Sequence, residues 1–135
     1  MIIGIGTDIL EIKRIGKILN KHDKKFIERI YGSNEISVIE NKKNNLDHYL
    51  SKRFAAKEAT WKAFNPKRGM GLIFKEIETL NDKNGKPYLL FSGKTERCIK
   101  EREKELGGSL KFDVSLSDEQ QYVIAFVVIS LAPFV

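Results

Sequence analysis

Glu58 and Lys62 stand four residues apart in the stretch Arg53-Phe54-Ala55-Ala56-Lys57-Glu58-Ala59-Thr60-Trp61-Lys62-Ala63-Phe64. Wound as a helix at about 100° per residue, this stretch gathers Leu50, Phe54, Trp61 and Phe64 on one stripe. Ala55, Ala56, Ala59 and Ala63 form a second, small-residue stripe that permits close backbone packing. Glu58 and Lys62 fall in the narrow sector between the two, while Arg53 and Lys57 lie beyond the bulky stripe. On an open helix surface such a pair is a routine ion pair stabilising by about 0.2–0.5 kcal/mol. Between two packing surfaces, a half-buried carboxylate needs a compensating charge, which a divalent ion with phosphates would supply.

Asp8 is the second candidate. Read as an extended strand, Gly4, Gly6 and Asp8 share one face, and two glycines beside a carboxylate leave room for a ligand or another backbone. The same Asp8-Ile9-Leu10-Glu11 reads equally as a capping box in which Asp8 starts a helix and Glu11 reaches back. One carboxylate has two oxygens, so the roles can coexist. Two carboxylates with no histidine or cysteine nearby suit a hard cation, and Mg²⁺ is typically held by one or two carboxylates with phosphates and waters. Asp8 with Glu58 fits that donor set.

A basic run follows: Lys13, Arg14, Lys17, Lys21, Lys24, Lys25 and Arg29, with Lys13, Lys17 and Lys21 recurring every fourth residue. It reads either as a solvated polar face or as a docking helix for an anionic partner, whose charge speeds association. The whole chain leans the same way, with 24 Lys and Arg against 18 Asp and Glu for a net charge of +6. A biased genome rich in Lys, Asn and Ile is the plainer explanation of that excess. Asn84-Gly85-Lys86-Pro87 is first of all a turn, although its lysine could meet a phosphate. Ser115-Leu116-Ser117-Asp118 lacks the flanking pattern of a serine nucleophile and is set aside.

The elements that must carry these groups follow from periodicity. Ile2 to Thr7 reads as a buried strand. After Asp8, Ile9, Ile12, Ile15, Ile18 and Leu19 recur at helical spacing, and Phe26, Ile27 and Ile30 continue the pattern to the Gly32-Ser33-Asn34 break. Ser33 can cap a short helix through Ile39, and Asn41 to Asn45 reads as a loop. A long helix from Leu46 to Phe64 stops ahead of Pro66. Ile73–Leu80 and Tyr88–Phe91 form a hairpin around Asn84-Gly85. Lys94 to Leu106 is a helix ended by Gly107-Gly108, and Leu110–Leu116 with Tyr122–Leu131 closes the chain as a second hairpin. The order predicts an α+β domain, an antiparallel sheet with helices packed on one side. Val123 to Ile129 barely alternates, so both faces of that strand are expected to be buried, and self-association would cover the face away from the helices.

A chain of 135 residues supports one self-sufficient core, so residues 1–135 are read as a single domain. One cysteine, Cys98, cannot form an internal bridge and fits a reducing cytoplasm. Two histidines make a His/Cys zinc site implausible. Met1-Ile2-Ile3 lacks the basic flank of a signal peptide. The apolar run Tyr122–Val135, interrupted by Ser130 and Pro133, falls short of the roughly 20 residues a bilayer requires. No membrane partner is expected.

Three blocks resemble the holo-acyl-carrier-protein synthase family of 4′-phosphopantetheinyl transferases. They are Gly4-Ile5-Gly6-Thr7-Asp8-Ile9-Leu10-Glu11-Ile12 with Arg14 and Ile15, Arg53 to Ala59 with Lys62-Ala63-Phe64, and Val114-Ser115-Leu116-Ser117-Asp118 with Tyr122. The Asn84–Pro87 turn also matches, and block order agrees over nearly the whole chain. The resemblance implies Mg²⁺-dependent transfer of phosphopantetheine from coenzyme A to a serine of apo acyl carrier protein, giving the holo carrier for fatty acid biosynthesis. It implies a homotrimer with active sites between subunits. Asp8 and Glu58 would hold the metal, and Glu58 would help remove the serine proton directly or through a metal-bound water. Lys62 would neutralise the pyrophosphate and assist the leaving group. Arg53, Lys57, Lys62, Asn84, Gly85, Lys86 and Pro87 would line the coenzyme A site, and Arg14, Lys17 and Lys21 would dock the acidic carrier. The sequence departs from many members at Asn65-Pro66-Lys67-Arg68, where they carry glycines, and at Asp118, where they carry histidine, and Asp118 is given no catalytic role.

Two other classes compete with this reading. A small basic nucleic-acid-binding module would use the same lysines, would bind with a steep salt dependence and would need no magnesium. A trimer that keeps an enzyme-like fold without catalysis would bind coenzyme A and transfer nothing.

Overall fold

The computed structural model describes residues 1–41 and 44–134, so within the loop expected at Asn41–Asn45, Lys42 and Lys43 lie outside the described residues. In chain order the elements are β1 (Ile2–Glu11), α1 (Ile12–Ile30), α2 (Ser33–Ile39) and α3 (Leu46–Phe64). A 3₁₀ turn (Phe74–Glu76) leads into β2 (Ile77–Asn81), followed by β3 (Pro87–Phe91), α4 (Gly93–Leu106), β4 (Gly108–Asp118) and β5 (Tyr122–Pro133). The α+β class stands, but the strands divide into two antiparallel sheets, β1-β5-β4 and the separate hairpin β2-β3. Aromatic packing joins them, with Phe91 and Phe112 rings 4.6 Å apart.

α3 lies across the three-stranded sheet because both surfaces are small. A Cβ added to Gly4 would fall 2.1 Å from the Ala63 carbonyl oxygen, and one added to Gly6 would fall 1.9 Å from that of Ala59. The strand backbone is thus in direct contact with the helix backbone, and Ala55, Ala56, Ala59 and Ala63 are buried there. The core continues through Val123, Ala125, Val127 and Ile129 on the inner face of β5 and Ile12, Ile15 and Leu19 on α1.

Three expectations change. The first helix does not begin at Asp8: β1 runs on to Glu11, pairing Asp8 with Ala125 and Glu11 with Tyr122. No capping box forms there, and the N-cap position of α1 is Glu11, without a side-chain cap. Ser33 is not a cap either. The cap position of α2 is Gly32, whose N–H donates to Glu35, while Glu78 from β2 accepts the Glu35 N–H. Finally, β5 alternates in burial although not in polarity. Ile124 and Phe126 remain 42% and 43% exposed, so only one face of the strand is covered in the single chain. No helix among the described residues is long and apolar enough to cross a membrane.

Candidate active site

The close contact of Gly4 and Gly6 with α3 brings Asp8, the next residue on that strand face, to the edge of the helix. Lys62 reaches across to it: its Nζ donates to the Thr7 carbonyl at 3.0 Å and to Asp8 Oδ1 at 3.2 Å. The i, i+4 pair anticipated between Glu58 and Lys62 is therefore replaced by a strand-to-helix pair between Lys62 and Asp8. Glu58 shares the same electrostatic neighbourhood. Burial raises its pKa, the Asp8 charge raises it further, and Lys62 and Arg14 oppose the rise. Asp8 from β1, Glu58 and Lys62 from α3 and Arg14 from α1 thus form one charge cluster built from three elements.

That donor set suits a hard cation. Asp8 and Glu58 offer carboxylate oxygens that repel one another, so a divalent ion between them would relieve the cost that now raises Glu58. Among the described residues no group of three or more His, Cys, Asp or Glu side chains is arranged to hold a metal. A cation here would need phosphate oxygens or water to complete its shell.

The coenzyme-site expectations divide. Lys57 is a correction: its side chain is fully buried. The ammonium donates to Glu35 Oε1 at 2.7 Å and to the Phe74 carbonyl at 2.9 Å, and also to Ile77 O. Burial lowers its pKa and Glu35 opposes that shift. It has no surface with which to line a coenzyme site. Arg53 is 5% exposed, stacked 4.1 Å from the Tyr49 ring centroid. Its Nε has no hydrogen-bond partner, and the side chain borders a cavity of about 430 Å³ with His48, Lys52, Asn81 and Asp118. Lys86 and Pro87 border another, of about 510 Å³, with Tyr88, Phe112 and Phe126. The turn itself is held by Asp82, whose Oδ1 accepts the N–H groups of Asn84 and Lys86, with Gly85 at φ 84°. Asp8, Glu58 and Lys62 line neither cavity. One chain brings the acid–base cluster together and leaves Arg53 and the turn apart from it.

On α1, Arg14, Lys17 and Lys21 point to solvent as their spacing predicted, opposite buried Ile12, Ile15 and Leu19. Sequence reasoning missed Glu35 and Glu78, two buried carboxylates behind α3, and the Lys52–Asp118 pair at 3.6 Å that ties α3 to the end of β4. Nothing in local spacing marks either. Asp82 was missed as well, although Asp two residues before Asn-Gly is a side-chain turn signal that could have found it.

Comparison with known proteins gives the family of the chain. Residues 4–127 match the family model described as the 4′-phosphopantetheinyl transferase superfamily. A holo-[acyl-carrier-protein] synthase of Wolbachia sp. subsp. Drosophila simulans is 44% identical over 131 residues, covering 96% of this chain and 98% of the relative. The crystal structure of the Neisseria meningitidis holo-[acyl-carrier-protein] synthase superposes with a TM-score of 0.79 at 36% identity, covering 96% of this chain and 99% of that one. The Helicobacter pylori enzyme in complex with coenzyme A gives a TM-score of 0.72 at 30% identity, covering 93% and 99%. With its motif residues gathered on β1 and α3, the chain belongs to the 4′-phosphopantetheinyl transferase superfamily.

Proposed function

We propose that this protein transfers the 4′-phosphopantetheine group of coenzyme A to a serine of apo acyl carrier protein, in the cytoplasm and with Mg²⁺, supplying holo carrier for fatty acid synthesis. The observation that carries the reading is the cluster itself: a lysine held against Asp8 beside a glutamate whose proton affinity is raised by burial and by that same aspartate. Asp8 and Glu58 would hold the magnesium ion, which when bound would neutralise charge on the diphosphate.

The remaining work falls to side chains. Glu58, placed beside Asp8 of β1, would take the serine proton, directly or through a water, as the hydroxyl oxygen closes on the pantetheine-side phosphorus. The new Oγ–P bond forms as the bond to the bridging oxygen breaks, and the electron pair leaves on adenosine 3′,5′-bisphosphate. The Lys62 ammonium, 53% exposed and mobile about a flexible stem, can turn from Asp8 toward that departing charge. No covalent nucleophile on the protein is needed. Arg53 and the Asn84–Pro87 turn would hold the nucleotide end, and the Arg14, Lys17 and Lys21 face of α1 would receive the acidic carrier.

The apolar outer face of the sheet, where Ile5 and Ile9 are 58% and 64% exposed, supports assembly of three copies with sites shared between them. The test mixes the protein with apo acyl carrier protein, coenzyme A and Mg²⁺ and weighs the carrier. A mass gain of one phosphopantetheine, absent with EDTA and absent in Glu58→Ala and Asp8→Ala, is expected. A carrier of unchanged mass, with its fold verified, overturns the reading.

A further inference from the structure

Resting on the transferase reading for its consequence but not for its geometry, we propose that Lys57, through its buried pair with Glu35, is the positioning residue that sets the rotation of α3 and so aims Glu58. The two sides of α3 are held by different kinds of contact. Toward the sheet, Ala59 and Ala63 lie directly on Gly6 and Gly4. Such a close backbone contact fixes the separation of helix and strand, and the side chain that crosses it beside Glu58 is that of Lys62, 53% exposed, on the Thr7 carbonyl and Asp8.

Lys57 lies on the other side, about 200° round the helix from Ala59, and its contacts are directional. Its ammonium is shared by Glu35 of α2, by the Phe74 carbonyl of the 3₁₀ turn and by the Ile77 carbonyl of β2. Glu35 is fixed in turn, accepting from Gly32 N–H at 3.1 Å and Thr79 N–H at 3.0 Å. Glu78 accepts from the Asn34 amide and the Glu35 N–H, both at 2.9 Å. The joint thus ties α2, β2 and the 3₁₀ turn to the residue next to Glu58. Glu58 sits midway between the two holds, about 100° from Lys57 and about 100° from Ala59. The directional bonds that hold the ends of α3, from Tyr31 to the Leu50 carbonyl and from Arg102 to the Phe64 carbonyl, are farther along the helix.

Side-chain atoms stand about 5–6 Å from the axis of a helix, so a roll of about 10° moves a carboxylate by about 1 Å. A displacement of that size at a reacting group can cost about 100-fold in rate. Breaking the Lys57–Glu35 joint should therefore cost turnover out of proportion to stability or coenzyme binding. Lys57→Met leaves Glu35 charged in the core and is expected to melt early. In the paired variant Lys57→Met/Glu35→Gln the buried charges go together, so the melting temperature should recover toward wild type.

In that folded double variant, kcat should stay about 10- to 100-fold down while KM for coenzyme A moves less than about threefold. Ile99→Ala, a core change on α4 away from the site, supplies a comparably destabilised control that should keep its kcat below its melting point. A crystal structure of the double variant should show the Glu58 carboxylate displaced or split over several positions relative to Asp8. Wild-type kcat in the double variant, or Glu58 in its wild-type place, overturns the proposal. So does failure of both Lys57 variants to fold, which would assign the pair to stability alone. If the wild-type protein transfers nothing to any carrier, the transferase reading falls by itself, and the position of Glu58 in the double variant still decides this one.

Discussion

Glu58 carries the sharpest consequence at the scale of single residues. Its raised proton affinity, caused first by burial and then by Asp8, means that the folded chain holds this proton more tightly than the unfolded chain does. Stability therefore falls as pH rises from the ordinary glutamate value through the raised one, and the penalty persists at higher pH. Glu58→Gln should raise the melting temperature of the metal-free protein at about pH 8, and the gain should vanish at about pH 3, where the native glutamate is protonated in both states. Calorimetry at the two pH values, with EDTA present, checks this. A loss of stability at pH 8 would mean that attraction to Lys62 and Arg14 outweighs burial, contrary to the net direction found. Transfer should be lost in the same variant, so residue 58 would trade stability for activity.

At the scale of elements, the contact between β1 and α3 decides whether the cluster exists. Gly6→Ala would set a methyl carbon 1.9 Å from the Ala59 carbonyl oxygen, closer than any side chain can accept, so strand and helix must separate. Overpacking of this kind costs about 1–3 kcal/mol, and here it would also draw Asp8 away from Lys62. Denaturant melts should show the loss, and the folded fraction should transfer at least about 10-fold more slowly, because the displaced groups are those that must meet. A folded Gly6→Ala protein with unchanged turnover would show that the tight contact is dispensable. The same two elements show what could be read from sequence. The ends of α3, Leu46 and Phe64, were legible because periodicity and Pro66 are local signals. The end of β1 was not, since Asp8 to Glu11 carries a capping pattern that strand pairing with Tyr122 to Ala125 overrides. That pairing spans most of the chain and leaves no mark near Asp8. Lys57 was misjudged for the same reason, because its partner Glu35 is 22 residues away and belongs to another element.

For the molecule as a whole, the question is how the charge cluster and two separate cavities could become one site. The cavity beside Lys86 and Pro87 is also bordered by Phe126, which stands on the uncovered outer face of the sheet. A second copy of the chain seated on that face would supply the missing wall and could bring its own Asp8 and Glu58 to the nucleotide held by the first. The apolar face and the divided site then have one cause. Phe126→Glu separates this account from a monomeric enzyme. In a lone chain the substitution is mild, since the side chain is 43% exposed, whereas in an interface it buries an uncompensated charge. Light scattering should show the assembly falling toward the 15.5 kDa of one chain. Transfer should fall at least about 10-fold with it, as each cavity loses the groups a neighbour contributed. Recovery of activity at high protein concentration, where mass action restores the assembly, would identify association rather than local damage as the cause. A Phe126→Glu protein that sediments as one chain and still transfers at the wild-type rate would place the complete site within a single copy.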